Sequence, residues 1–227
     1  MEAFNHALDR LQTGFRTQQE FTANAAHELK TPLALIRAQI ELEPSDQRNP
    51  YLLQDVDRMA RQVQQLLHLA EASEPRNYHI EAVLPQAAVA EVCDYMDRVA
   101  RQSGVRIAHQ VDAAAGDWQA DRGALFTLFK NLLENAIQHS PPDTVVTVLA
   151  DASGFTVSDQ GPGVAPPDLP RLFERFWRGA SRRDEGAGLG LSICQEIARA
   201  HGWTMQTGPG PTGLEMRVRF AGAPANA

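Results

Sequence analysis

The chain has 227 residues, 43% of them hydrophobic and 22% charged, which excludes a fully disordered or collagen-like protein. This length predicts one full domain together with a smaller one. The formal net charge of −7 argues against a nucleic-acid-binding surface. No run approaches about 18 apolar residues and no signal peptide is present, so neither membrane contact nor secretion is expected. Two cysteines, Cys93 and Cys194, form no disulfide framework and suit a reducing cytosol.

The first 72 residues carry two apolar stripes whose members alternate in steps of four and three, a spacing typical of bundled helices. The first stripe consists of Phe4, Leu8, Leu11, Phe15, Thr22, Ala25, Leu29, Pro32 and Ile36. The second stripe consists of Leu52, Val56, Met59, Val63, Leu66 and Ala70. Residues 43–50 between them are polar, contain two prolines and predict a turn.

The two stripes predict an antiparallel helical hairpin over residues 1–72. Because one hairpin cannot cover both of its own stripes, we expect a homodimer through residues 4–70 that forms a four-helix bundle. The alternative is that the hairpin packs against the second half of the same chain. Residues 73–77 show no apolar periodicity and predict a hinge linker.

Residues 78–221 alternate between strand-like and helix-like patterns, which predicts a mixed α+β sandwich followed by a frayed tail at 222–227. The expected strands are Tyr78–Leu84, Gly104–Gln110, Thr144–Ala150, Gly154–Ser158, one near Thr204 and Glu215–Phe220. The expected helices are Gln86–Gln102, one capped by Asp121 and ending near His139, and one from about Gly188 to His201.

A histidine on the first predicted helix is a candidate nucleophile. His27 lies two positions from both Ala25 and Leu29, and about 200° of helix rotation places it on the solvent side. The adjacent Glu28 can accept from Nδ1–H and leave a free lone pair on Nε2, while Thr31 lies one turn beyond Glu28. An exposed helical histidine is, by itself, most often ordinary surface.

The run Phe21-Thr-Ala-Asn-Ala-Ala-His27-Glu28-Leu-Lys-Thr31-Pro32-Leu resembles the phosphoacceptor box of sensor histidine kinases, over residues 21–42. This resemblance implies that His27 takes the γ-phosphoryl group of ATP and that Glu28 acts as its base. It also implies that Thr31 serves a phosphatase activity.

The second half contains polar groups suited to a nucleotide. Asn131 and Asn135 are four residues apart on one edge of the predicted helix, with Gln138 beside them, and amide oxygens suit Mg²⁺. The alternative is that these are ordinary surface amides. Asp159-Gln-Gly161-Pro-Gly163 follows a strand, where a carboxylate can accept from an adenine amino group and glycines let the backbone approach the base.

Gly186-Ala-Gly188-Leu189-Gly190 opens the last predicted helix, where backbone N–H groups form an anion site. It is neither a dinucleotide fingerprint nor a Walker loop. The other histidines, at positions 6, 68, 79, 109 and 201, show no metal-ligand spacing and are interpreted as surface or packing residues.

Asn-x-x-x-Asn, Asp-x-Gly-x-Gly, Phe173-Glu-Arg-Phe176 and Gly-x-Gly-x-Gly occur in the order of the four boxes that the ATP-binding domain of histidine kinases carries. The resemblance implies the α/β sandwich shared with gyrase and Hsp90, with ATP and Mg²⁺ as cofactors. It places Mg²⁺ at Asn135, adenine at Asp159 and a mobile lid at about 162–187. The nucleotide-binding candidates are Asn131, Asn135, Gln138, His139, Asp159, Gly161, Gly163, Phe176, Arg182, Gly186, Gly188, Leu189 and Gly190.

Two departures from the family pattern are Gln138 and His139, where many members carry Lys and Tyr. A neutral amide at position 138 removes one positive charge from the phosphate site. ATPases with this fold place a glutamate base where this chain has Asn131, so water would be poorly activated here. Kinases of the branched-chain dehydrogenase type share the boxes but lack the His27 context, and a dimeric scaffold with a degenerate site is the non-enzymatic alternative.

The resemblance also implies a partner. A response regulator would dock on the bundle through its receiver domain and take the phosphoryl group onto its own aspartate. The first residues are similar to the end of a signalling coiled coil, so the chain is expected to be the cytoplasmic portion of a larger bacterial receptor anchored in the inner membrane.

Overall fold

The computed structural model describes residues 29, 33–34, 36–38, 40–42, 52, 56, 59–60, 63, 78–175, 177, 188–210 and 212–220. The chain divides into two compact units, Met1–Glu74 and Pro75–Ala227. The linker expected at 73–77 and the tail expected at 222–227 lie outside the described residues.

The described residues of the first unit are helical and bury one apolar row from each half of the predicted hairpin. Residues seven apart lie on one face of a helix, and this spacing relates the members of each row. The buried cluster consists of Leu33, Ile40, Val56 and Val63. The prediction that Val56 and Val63 are buried is therefore confirmed.

A second apolar row on the same residues stays half-exposed within one chain. Its members are Leu29 (49% exposed), Ile36 (43%), Leu52 (46%) and Met59 (52%). The prediction that Leu29 and Ile36 are buried is wrong for a single chain, because the intrachain contact uses Leu33 and Ile40 instead. Each half carries two apolar rows, and one hairpin buries only one of them.

The second unit contains three α-helices, one 3-10 helix and seven strands within the described residues. The helices are α1 (Pro85–Gln102), α2 (Arg122–His139) and α3 (Gly190–Ala200), and the 3-10 helix spans Pro166–Phe173. The strands are β1 (Glu81–Val83), β2 (Arg106–Val111), β3 (Trp118–Ala120), β4 (Val145–Asp151), β5 (Gly154–Ser158), β6 (Thr204–Pro209) and β7 (Leu214–Arg219).

Five strands form one mixed sheet in the order β2-β4-β5-β7-β6, with β2 and β4 parallel and the other pairs antiparallel. The strands β1 and β3 form a separate antiparallel ribbon. Alternate residues of β4 are buried, among them Val146 and Val148, so one face of the sheet packs on the core. The predicted mixed α+β sandwich is confirmed.

Aromatic side chains join α2 to the sheet. Phe129 of α2 stacks on Phe155 of β5 with ring centroids 3.9 Å apart, and both rings are almost fully buried. Trp118 of β3 lies 6.2 Å from Phe129 and donates its indole N–H to the carbonyl of Asp151. This cluster fixes α2 on the sheet.

The elements differ from the predicted ones at three points. The first strand shortens to Glu81–Val83, and the strand β3 and the 3-10 helix were not predicted. A three-residue strand is too short to show an alternating pattern. The last helix begins at Gly190 rather than near Gly188, because Gly188 has a φ of +70°, which is outside the helical region.

Candidate functional site

The amides of the candidate site lie on α2. Asp121 caps this helix as predicted, since its Oδ1 accepts the N–H of Ala124 at 2.8 Å. Asn131 is 9% exposed and donates through Nδ2 to the carbonyl of Thr127 at 2.8 Å. Asn135, one turn later, is partly exposed, and its side chain makes no hydrogen bond to the described residues. Asn135 therefore has its amide oxygen available.

The contact between Asn131 and α3 joins two of the predicted motifs. A Cβ built at Gly190 would lie 3.2 Å from Oδ1 of Asn131, so the glycine allows the two helices to approach closely. Asn131 thus serves the helix–helix contact in the described structure, and its role toward a nucleotide stays a prediction.

Asp159 is a buried carboxylate at the end of β5, with 5% of its surface exposed. Its Oδ1 accepts the N–H groups of Gly161 at 2.8 Å and of Leu214 at 3.0 Å. Its Oδ2 makes no hydrogen bond to the described residues. Two backbone donors therefore fix the carboxylate and leave one oxygen to accept from a ligand.

Close backbone approach requires glycine on both sides of this carboxylate. A Cβ at Gly161 would lie 2.6 Å from the carbonyl oxygen of His139, at the end of α2. A Cβ at Gly213, in the turn before β7, would overlap Oδ1 of Asp159. Sequence reasoning missed Gly213, because the segment around it indicates only a turn. The third glycine, Gly163, has a φ of +72°.

The end of α2 carries the two residues that depart from the family pattern. Gln138 is exposed and His139 is partly buried. The helix ends there because Ser140 has an extended backbone and donates its hydroxyl to the carbonyl of Ala136 at 2.7 Å. Since His139 also contacts Gly161, this end of α2 lies beside the Asp159 loop.

The start of α3 supplies backbone donors. Leu189 is buried, Gly190 begins the helix, and the first helical N–H groups have no partner within a helix. Ser192 donates its hydroxyl back to the carbonyl of Leu189 at 2.8 Å. Such a helix start binds anions. Gly186 lies outside the described residues.

The segment predicted as a lid is described over residues 162–175 and at 177, and its base is attached to α3. Arg175 pairs with Glu196 of α3 at 3.6 Å. The Arg171 guanidinium lies 5.7 Å from the ring centroid of Trp177. Phe176 and Arg182 lie outside the described residues, as do His27, Glu28 and Thr31.

No cluster of three or more His, Cys, Asp or Glu side chains that could hold a metal occurs in the part of the chain that the structure describes. A divalent cation here would need the amide oxygen of Asn135 together with phosphate oxygens and water. Mg²⁺ accepts this kind of ligand set, so the residues present fit it. Over the same part of the chain, no helix has the length and apolar character of a membrane span.

The structure brings three predicted motifs together: the α2 amides, the Asp159 loop and the start of α3. A mixed sheet covered by helices, with this site at one end of α2, defines an α/β sandwich of the nucleotide-binding type. Residues 120–223 match the family "Histidine kinase-, DNA gyrase B-, and HSP90-like ATPase", and residues 17–75 match the "His Kinase A (phospho-acceptor) domain". The chain belongs to the sensor histidine kinases of two-component systems.

Individual relatives agree with this assignment. Sensor protein QseC of Salmonella typhi is 35% identical over 231 residues, covering 97% of this chain and 51% of QseC. Sensor histidine kinase CusS of Escherichia coli O157:H7 is 34% identical over 221 residues, covering 89% of this chain and 45% of CusS. Full-length ShkA in complex with AMPPNP superposes with a TM-score of 0.72 at 26% identity, covering 88% of this chain and 44% of ShkA. The chain spans about half the length of the curated relatives it matches.

Proposed function

We propose that the chain transfers the γ-phosphoryl group of ATP to His27 and then to an aspartate of a partner response regulator. The observation that carries the proposal is a fixed carboxylate with one available oxygen, Asp159, in a chain that also matches a phosphoacceptor domain. The bound nucleotide of ShkA, a structural relative, adds support.

The nucleotide is held by groups that the structure brings together. Oδ2 of Asp159 accepts from the adenine amino group, and the glycines beside it admit the base. The N–H groups at the start of α3 bind phosphate oxygens, with Gln138 and His139 at the end of α2 nearby. Mg²⁺, held by Asn135 and the phosphates, offsets negative charge on the triphosphate.

The transfer itself uses the helical unit. Nε2 of His27 attacks the γ-phosphorus, the Nε2–P bond forms, and the bond between the γ-phosphorus and the bridging oxygen of ADP breaks. Glu28 holds the imidazole tautomer and takes the Nδ1 proton as positive charge develops on the ring. The response regulator then receives the phosphoryl group, and Thr31 supports dephosphorylation of that partner.

Two residues favour phosphoryl transfer over hydrolysis of ATP. Asn131 occupies the position at which ATPases with this fold carry their glutamate base. Glu134, the nearest carboxylate in sequence to Asn135, lies 3.5 Å from Lys130 as an ion pair. Water near the γ-phosphate therefore lacks a free general base on α2.

We further propose the organisation in which this chemistry occurs. Residues 1–72 form the dimerisation and phosphoacceptor hairpin, 73–77 a hinge, and 78–221 the ATP-binding domain. The half-exposed row Leu29, Ile36, Leu52 and Met59 supports a homodimer, because a second copy would cover it. The sensor relatives support a cytoplasmic portion of a receptor anchored in the inner membrane.

Introducing a charge into that row tests the dimer. Ile36→Asp should convert the dimer to a monomer, because a carboxylate would be buried between apolar helices. Leu42→Asp is the matched control, since Leu42 is 84% exposed. Sedimentation of both variants and the parent measures the outcome. A dimeric Ile36→Asp variant would contradict this interface.

Incubation with γ-labelled ATP and Mg²⁺ tests the proposed activity. We expect label on the chain that is lost in acid and retained in base, which is the behaviour of a phosphohistidine. Asn135→Ala should weaken the binding of Mg-ATP and reduce the label. An unlabelled chain that nevertheless binds ATP would overturn the proposal.

A further inference from the structure

His201, at the C-terminal end of α3, makes two hydrogen bonds that fix its protonation state. Its Nε2 accepts the backbone N–H of Asp121 at 3.1 Å. Its Nδ1 lies 2.8 Å from the carbonyl oxygen of Ile197. Because Nε2 accepts, Nδ1 carries the proton and donates to Ile197, and the imidazole is neutral.

Asp121 connects this histidine to two other segments. Its Oδ1 caps α2 through Ala124, and its Oδ2 accepts the backbone N–H of His79 at 2.9 Å. The ring of Tyr78 packs on the ring of His201 with centroids 4.8 Å apart. His201 and Asp121 therefore join the end of α3, the start of α2 and the first described residues of this unit.

The same two helices meet again at the candidate site. Gly190, at the start of α3, contacts Asn131 of α2, while His201 contacts Asp121. The separations along the two helices match, since 11 residues of α3 and 10 of α2 each span roughly 15–17 Å at a rise of about 1.5 Å per residue. The helices are therefore antiparallel and are held at both ends.

We propose that His201 is a positioning residue for the nucleotide site: its hydrogen bond to Asp121 sets the register of α3 along α2, and protonation of Nε2 releases that register. The inference rests on the proposed function, since it assumes that the start of α3 and Asn135 bind one nucleotide. A shift of α3 along α2 would change the spacing between the backbone donors at Gly190 and the amide of Asn135.

The protonated imidazole cannot make this contact. Nε2–H would face the N–H of Asp121, so two donors would oppose each other. Burial lowers the pKa of His201 below its ordinary value of 6.5, although the bond to the Ile197 carbonyl and the Asp121 carboxylate act in the opposite direction. The titratable groups that face the ring in the described contacts are the Asp121 carboxylate and the Tyr78 phenol, while Trp203 on another side carries no charge.

The sign of the pH effect follows from this depressed pKa. The stabilisation from neutral His201 is fully present above the unfolded-state pKa of about 6.5 and is lost as the pH falls below that value. Affinity for nucleotide should weaken in the same direction, at pH values where the folded protein takes up the proton.

Binding of Mg-AMPPNP by the full chain, titrated from pH 8 to pH 5.5, tests the proposal. His201→Gln keeps a neutral acceptor near the Nε2 position, so it should bind like the parent at pH 7.5 and lose the weakening at acid pH. His201→Phe keeps an aromatic ring without the acceptor and should bind about two- to fivefold more weakly at pH 7.5, the loss of one hydrogen bond. His109→Gln, at an exposed histidine of β2, should follow the parent throughout.

Equal acid weakening in His201→Gln and the parent would overturn the proposal. That comparison also decides the matter when the phenylalanine variant does not fold. Binding of AMPPNP needs no phosphoacceptor, so the result is separable from the proposed function. A chain that shows this pH effect but never labels His27 would refute the kinase activity alone.

Discussion

Replacing Asp159 with asparagine changes one oxygen of the candidate adenine contact and leaves the fold intact. The asparagine Oδ1 can still accept the N–H groups of Gly161 and Leu214, which the carboxylate accepts at 2.8 and 3.0 Å. The other atom, Oδ2, becomes an NH₂ group that faces the adenine amino group as a second donor. Asp159→Asn should therefore lose nucleotide binding without loss of stability.

The expected magnitude follows from the kind of hydrogen bond that is lost. A bond to a charged acceptor contributes about 1.5–3 kcal/mol, which corresponds to roughly 10- to 150-fold weaker binding of ATP. The free energy of unfolding should change by less than about 1 kcal/mol, because both backbone donors keep an acceptor. Isothermal titration with Mg-AMPPNP and urea unfolding measure the two quantities on the same protein.

Asp159→Ala is the contrasting variant. It leaves the N–H groups of Gly161 and Leu214 without an acceptor, so it should lower the free energy of unfolding by about 2–4 kcal/mol as well as abolish binding. If Asp159→Asn binds nucleotide within threefold of the parent, Asp159 does not contact adenine. If it unfolds as easily as the alanine variant, the assignment of the two backbone bonds to Oδ1 is wrong.

Three further predictions concern charge and proton transfer. Gln138→Lys adds a positive charge at an exposed position and should tighten ATP binding severalfold at low salt; a gain unaffected by 0.5 M salt would contradict a phosphate contact. Burial tends to raise the pKa of Asp151, but hydrogen bonds from Ser153 and pairing with Arg219 lower it, so its stabilisation is present above pH 3.8 and lost as the pH falls further. Asp151→Asn should therefore destabilise the protein at pH 7 and much less at pH 3, and an equal loss at both values in urea unfolding would refute this. Thr31→Ala should keep autophosphorylation and lose dephosphorylation of the partner; equal loss of both would undo the assignment of Thr31.

The sequence predicts the features of the fold that local chemistry determines. Asp121 was expected as the cap of α2 because a short acceptor side chain before an apolar run serves that role. The strand Gly154–Ser158 was predicted with its observed bounds, because five residues between turn signals leave little freedom. The presence of amides and glycines in a fixed order was likewise sufficient to predict a nucleotide site.

Contacts between distant segments could not be read from the sequence. Gly213 packs on Asp159 from 54 residues away, and His201 contacts Asp121 from 80 residues away. The amide pattern also did not distinguish Asn131, which is buried against α3, from Asn135, which is available. The choice between two apolar rows in the first unit depends on which row meets the other half of the hairpin, and spacing alone is the same for both.

Mapping of the phosphorylated residue by mass spectrometry at neutral pH tests the central claim most directly. After incubation with Mg-ATP, the account predicts one phosphoryl group on the peptide containing His27, one ADP released per phosphoryl group, and no modification of a His27→Gln variant. A phosphoryl group on another residue, or release of ADP and phosphate without any modified histidine, would contradict it.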